Sequence, residues 1–188
     1  TEVAESGTTD TFTVVLDAQP ASDVVLTVTS DDTGEATLNG PLTFTPANWD
    51  TPQTVTVTGI NEDIVDGDIV STVTVVVDDA NSDDDFDAVA DQTVSVTTTD
   101  DDVAGFTIVE SDGATEVAES GTTDTFTVVL DAQPASDVVL TVTSDDTGEA
   151  TVTSSLTFTP ANWDTPQTVT VTGVDDDIID GSVTSTIT

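Results

Sequence analysis

The chain contains no lysine, arginine or histidine, while 38 of its 188 residues are aspartate or glutamate, giving a formal net charge of −38. No side chain is available to close a salt bridge, and a field of one sign repels itself and opposes compaction. The compensating charge must come from solution. A nucleic-acid backbone is held by Lys and Arg that displace its counterions, and anionic lipid surfaces attract the same residues, so nucleic acid and anionic membranes are disfavoured as partners. Cysteine is absent too, which removes any disulfide framework. With histidine missing as well, the usual ligands of zinc, copper and iron are gone. No serine has a His, Lys or Cys to activate it. Aromatic residues are only 4% of the chain, too few for the sugar cleft in which paired carboxylates hydrolyse glycosides. The sequence is not read as an enzyme. No apolar run approaches the ~20 residues of a membrane span, and TEVAESG at the start is neither a start methionine nor a signal peptide. The chain reads as a window cut from something longer.

What the chain does have is a 36% hydrophobic fraction dominated by alternating valine, enough to bury a core and to argue against the disorder that acidic chains often show. It also has an internal repeat. Residues 1–37 recur unchanged as 115–151, and the match runs on to 74 against 188 at an offset of 114, with twelve differences in those 74 positions. LNGP at 38–41 becomes VTSS, as a turn tolerates. Near-identity of this kind points to tandem duplication and an array, with a first repeat at 1–102 and a second at 103–188.

Within each repeat the hydrophobic period is two. TFTVVL (11–16), DVVLTVT (23–29), LTFT (42–45), QTVTVTG (53–59), STVTVVV (71–77), QTVSVTT (92–98) and FTIV (106–109) alternate apolar residues with Thr or Ser, the pattern of half-buried strands. DAQPASD, DDTGE and TPANWDTP separate them. About seven short strands per repeat and no helical segment predict tandem immunoglobulin-like antiparallel β-sandwiches, an all-β fold. AGFTIVESDGA (104–114) has no counterpart before Thr1, so the first repeat is expected to lack its opening strand and the second to stop before its last ones. Trp49 and Trp163, each in PANWD, are read as covers on the end of a core.

Acids gather in the loops. TGINEDIVDGD (58–68) and TGVDDDIIDGS (172–182) each hold four carboxylates just after a strand. A solvated acidic turn is the plain explanation, but halophilic adaptation scatters acids over strand faces, and those faces carry Thr here. Calcium takes six to eight oxygen ligands in flexible geometry, so it is the expected cofactor. DDANSDDDFD (78–87) is read as a solvated loop.

The order VAESG, LTFTPANW, NEDIVDGD, TTTDDD resembles that of the Calx-β domains, calcium-binding sandwiches found in animal exchangers and in very large bacterial surface proteins. The resemblance implies a calcium site combining Glu5, Asp31 or Asp32, Glu62, Asp63, Asp66, Asp100, Asp101 and Asp102, and in the second repeat Glu119, Asp145, Asp146, Asp176, Asp177 and Asp180. It implies an extracellular, secreted or cell-surface location and a structural role in an adhesin stalk or surface fibre, with neighbouring repeats or identical chains as partners. The alternatives are a filament subunit completed by strands from its neighbours, or a module for a glycan or ice.

Overall fold

A computed structural model describes residues 1–179 and 181–188. The chain is all-β, and among the described residues the only helical elements are three single 3-10 turns, Asp79–Asn81, Asp84–Phe86 and Ser111–Gly113. It divides into two units, Thr1–Glu62 with Asp66–Asp101, and Asp63–Val65 with Asp102–Thr188.

The first unit holds β1 (Glu2–Ala4), β2 (Thr9–Val14), β3 (Val24–Ser30), β4 (Ala36–Leu38), β5 (Leu42–Phe44), β6 (Gln53–Gly59), β7 (Ile69–Val77) and β8 (Gln92–Thr99). They form a five-stranded sheet, β1-β8-β7-β3-β5, and a three-stranded sheet, β2-β6-β4. Alternation drives the packing: in β6, Val55 and Val57 are fully buried while Thr54, Thr56 and Thr58 are not. Val55 from the small sheet joins Val24, Leu42, Phe44 and Val75 from the large one in a single cluster, so the sheets pack face to face. Each such side chain contributes about 1.5–3 kcal/mol on burial. Outward threonines pair across strands, Thr11 opposite Thr56 and Thr13 opposite Thr54.

Two findings depart from the sequence expectation. The strands β1 and β4, at three residues each, are too short for alternation to mark. And β1 runs parallel to β8, Glu2 to Thr97 through Ala4 to Thr99, in a sandwich otherwise antiparallel.

The second unit holds β9 (Phe106–Glu110), β10 (Thr123–Leu130), β11 (Val138–Thr141), β12 (Ala150–Val152), β13 (Ser155–Phe158) and β14 (Gln167–Gly173). Its sheets are β12-β14-β10-β9 and β11-β13, closed on Phe126, Val128, Leu130, Leu156, Phe158 and Val169, with Trp163 packed against them. The opening strand β9 pairs antiparallel with β10. Residues Glu116–Ala118, identical in sequence to β1, form no strand. The inserted tripeptide Asp63–Val65 joins this unit through a parallel bridge from Ile64 to Gln133, whose N–H donates to the Asp63 carbonyl at 2.6 Å.

Candidate metal centre

The centre of the first unit begins with VAESG. The Gly7 and Thr8 amides both donate to the Ala4 carbonyl, at 3.1 and 3.3 Å, and Gly7 adopts φ +82°, a conformation that glycine enters without a Cβ clash. Ala4 N–H donates to Thr8 Oγ1 at 2.7 Å. Behind this turn, Gly59 at the end of β6 lies so close that a Cβ there would sit 2.1 Å from the Ala4 carbonyl oxygen. Glu5 N–H then donates to Thr99 O at 3.2 Å, extending the parallel pairing of β1 with β8 by one residue. The turn therefore stands beside both the loop that follows β6 and the run that follows β8.

These contacts bury Glu5 completely. Neither of its carboxylate oxygens meets a donor at hydrogen-bonding geometry, although the Asp101 backbone amide is near enough to act on its charge. Glu62 and Asp66, from the loop after β6, each bring an oxygen so that theirs and one from Glu5 all lie within 4.8 Å of one another, and Asp100 brings another within 4.8 Å of Glu5. The pieces are tied together by the backbone: Gly67 N–H donates to Asp100 Oδ2 at 2.8 Å, and Asp100 N–H to Asp68 Oδ1 at 3.3 Å.

Glu35 is a second buried acid, whose charge acts on the group. It is buried in the loop before β4, and its Oε2 has no partner; its carbonyl accepts the Ile60 N–H at 2.9 Å, which links it to the start of the acidic loop. Sequence reasoning passed over Glu35 because it lies inside the turn segment DDTGE. The available signal was its place directly before the first apolar residue of a strand, repeated at Glu149.

Electrostatics identify one cluster. Burial raises the Glu5 carboxyl to about 7, with the charges of Asp100, Glu62 and Glu35 adding to the rise and the Asp101 backbone amide offsetting part of it. Glu35 is raised by burial first and then by Glu62, Asp66, Asp32 and Asp100. A buried carboxylate without a donor is costly, and this chain has no side-chain cation to supply one.

Most of the other candidate acids are engaged differently. Asp31 Oδ1 accepts the Thr72 N–H at 2.7 Å, pinning the end of β3 to β7. Asp32 Oδ1 accepts Gly34 N–H at 2.9 Å within its own turn. Asp63 falls in the second unit; Asp101 closes the first unit and Asp102 opens the main segment of the second. In the second unit Glu119 is exposed, Asp145 Oδ1 takes the Thr186 N–H, Asp146 Oδ1 that of Gly148 and Asp176 Oδ1 that of Ile178. Asp177 is exposed, and Asp180 lies outside the described residues. Among the described residues this unit holds no three acids of its own within ligating distance of one another.

The loop 78–87 is not simply solvated. Asp83 is buried and accepts the amides of Ala21, Ser22 and Asp85 at 2.6, 2.8 and 3.1 Å, which hold its carboxyl below the ordinary range. It staples the loop before β3 to the loop after β7.

The chemistry of the first-unit group suits a hard divalent cation. All donors are carboxylate oxygens, and two oxygens on one calcium at 2.3–2.6 Å can be at most about 5 Å apart, a limit that the oxygens of Glu5, Glu62 and Asp66 meet among themselves and that of Asp100 meets with Glu5. Glu5, Glu62, Asp66 and Asp100 are the residues able to hold it, with the buried charge of Glu35 beside them.

No family model matches the sequence, and no curated protein matches it. Among solved structures the chain is similar to the calcium binding domain CBD12 of CALX1.1, 17% identical over 93% of this chain and 73% of that one, TM-score 0.37. It is similar also to the E. coli chaperone DraB, 8% identical over 94% and 83%, TM-score 0.39. A third is SSP-19, an MSP-domain protein like family member in Caenorhabditis elegans, 19% identical over 53% and 91%, TM-score 0.34.

Proposed function

We propose that the chain is a calcium-stabilised structural repeat of an extracellular bacterial adhesin stalk or surface fibre, with the ion held in the first unit by Glu5, Glu62, Asp66 and Asp100. The observation that carries this reading is Glu5: a fully buried carboxylate neither of whose oxygens meets a donor at hydrogen-bonding geometry, facing other acids in a chain without a single side-chain cation. Folding such a group is unfavourable unless a cation or a proton accompanies it, and at neutral pH calcium is the cation that fits. The ion would join the beginning, middle and end of the unit, because its ligands come from the β1 turn, the loop after β6 and the run after β8. Its role is then mechanical, with binding energy adding to fold stability by linkage: a ligand at 100 times its dissociation constant contributes ~2.7 kcal/mol, against a total of about 5–15 kcal/mol for a domain.

The test is calorimetric titration of the full chain with calcium, with magnesium as control, alongside thermal melts in calcium and in chelator. Saturable calcium binding with a raised melting temperature, reversed by chelator, supports the reading. Unchanged melting in millimolar calcium overturns it.

A further inference from the structure

Beneath the metal centre the inner face of the first unit changes character. Valine occupies the inward positions of β7 and β8 at Val73, Val75 and Val96, all buried. One step nearer the centre the same inward positions carry hydroxyls, Ser71 on β7 and Thr98 on β8, 2% and 0% exposed. Two residues past Thr98 comes Asp100, and Val3, which pairs with Thr98 across β1, is followed two residues on by Glu5. The interior is thus layered from valine through hydroxyl to carboxylate.

The hydroxyl layer is not satisfied by the protein around it. Buried Ser and Thr ordinarily bond a backbone group or water, yet neither Ser71 Oγ nor Thr98 Oγ1 has a hydrogen-bond partner, and both are shut off from bulk solvent. A buried hydroxyl left in that state is destabilising, and alanine or valine would fill the positions at less cost. Directly above them, neither oxygen of Glu5 meets a donor at hydrogen-bonding geometry. Two donors and an acceptor therefore share one end of the interior without reaching one another. Strand register sets the gap between the donors. Ser71 is opposite Val96 and Thr98 opposite Ile69, which makes the two diagonal neighbours on one face, about 7–8 Å apart across the strands. Two hydrogen bonds of about 2.8 Å through one intervening oxygen span what remains once each side chain leans toward the other.

We propose that Ser71 and Thr98 hold one buried water against Glu5. The two hydroxyls donate to its oxygen and it donates to the Glu5 carboxylate, about the three hydrogen bonds that a buried water makes to otherwise unsatisfied groups. In a chain with no Lys, Arg or His, this water is the neutral donor that the fold brings to its most buried acid, and it fixes the carboxylate before an ion arrives. A neutral donor offsets only part of the cost of a buried charge, so the need for a cation stands.

Oxygen-17 relaxation dispersion of the solvent, which registers waters that stay inside a protein for longer than its tumbling time, counts the site in the full chain in chelator at pH 8. Thr98→Val and the S71A/T98V double variant each lose one such water relative to the parent, and Thr98→Ser, which keeps the hydroxyl, retains it. Urea titration of the same chains is the second readout. Because both side chains serve one water, the double variant loses less stability than the sum of S71A and T98V alone. An unchanged water count in Thr98→Val, or single losses that simply add, overturns the proposal; if the double variant does not fold, the water count of Thr98→Val against Thr98→Ser decides alone. The inference goes beyond the metal reading and fails separately from it. A water lost with the hydroxyl in a chain that shows no calcium response upholds this site alone, and a calcium response in a chain whose water count ignores the hydroxyls overturns this site alone.

Discussion

Glu5 and Glu119 sit in the same pentapeptide, VAESG, inside an unbroken stretch of 37 identical residues; one is fully buried and the other exposed. The difference lies in what distant strands bring. In the first unit β8 lies alongside β1, Thr99 takes the Glu5 amide, and Asp100 follows at once. In the second unit the counterpart of β7 is represented by the bridge from Ile187 to Ser144 and its flanking bonds, and no described strand lies beside Glu116–Ala118. Identical local sequence gives a candidate ligand in one place and a surface acid in the other. The centre is a property of the assembled sheet and not of the turn that carries its most buried member.

The largest expected effect is calcium itself. With Trp163→Phe leaving Trp49 as reporter of the first unit, and Trp49→Phe leaving Trp163 for the second, saturating calcium raises the first transition by roughly 10–20 °C, about 2.7 kcal/mol on a unit of this size. The second transition stays in place. Equal shifts in both would erase the contrast between the units. Supplying the second unit with what it lacks reverses that contrast: a chain extended after Thr188 by residues 75–102 acquires its own β8 and closing aspartates, and the Trp163 transition then becomes calcium-dependent.

Glu5→Gln separates ligand from repulsion. It lowers calcium affinity by about tenfold or more, ~1.4 kcal/mol or more, yet raises stability of the metal-free chain at pH 8 by removing a buried charge. Glu119→Gln changes either quantity by no more than about 0.5 kcal/mol, as expected for an exposed position. Calorimetry and urea titration of the two variants read both effects, and matching behaviour would show that burial does not distinguish the sites.

The pH dependence tests the same burial by its sign. The folded-state carboxyl of Glu5 is raised to about 7 from 4.5, so between those values the folded chain binds more protons than the unfolded one. Metal-free stability of the first unit accordingly falls as pH rises from about 4.5 through about 7. Saturating calcium flattens or reverses that slope. Urea midpoints followed by Trp49 fluorescence across this range, with and without chelator, give the sign.

The sandwich was legible because valine alternates with threonine over stretches long enough to show period two: QTVTVTG and QTVSVTT are strands at almost the expected bounds. β1 and β4 were not, and their partners explain why. β1 exists by parallel pairing with residues 97–99, nearly a hundred positions away, and nothing in EVA announces it. Of the site, Glu5, Glu62, Asp66 and Asp100 were nominated through the resemblance. Glu35 was hidden in a turn, and Asp31 and Asp32 came with the same resemblance although their carboxylates serve backbone amides. Acid density in a sequence marks where charge is, while burial and the absence of a donor mark where it needs an ion, and only the fold reports those. Asp83 makes the same point in reverse, a buried acid already satisfied by three amides.

The tight approach of Gly59 to the Ala4 carbonyl, matched at Gly173 with Ala118 O at 2.2 Å from a would-be Cβ, has a genetic consequence. Glycine is the one residue without a Cβ, so every missense change at either codon places an atom where a backbone oxygen already is. The threonines just upstream face outward and admit many replacements. As copies of such a repeat diverge, their strand faces are free to drift, and these two codons become the fixed marks by which a worn copy is still recognised.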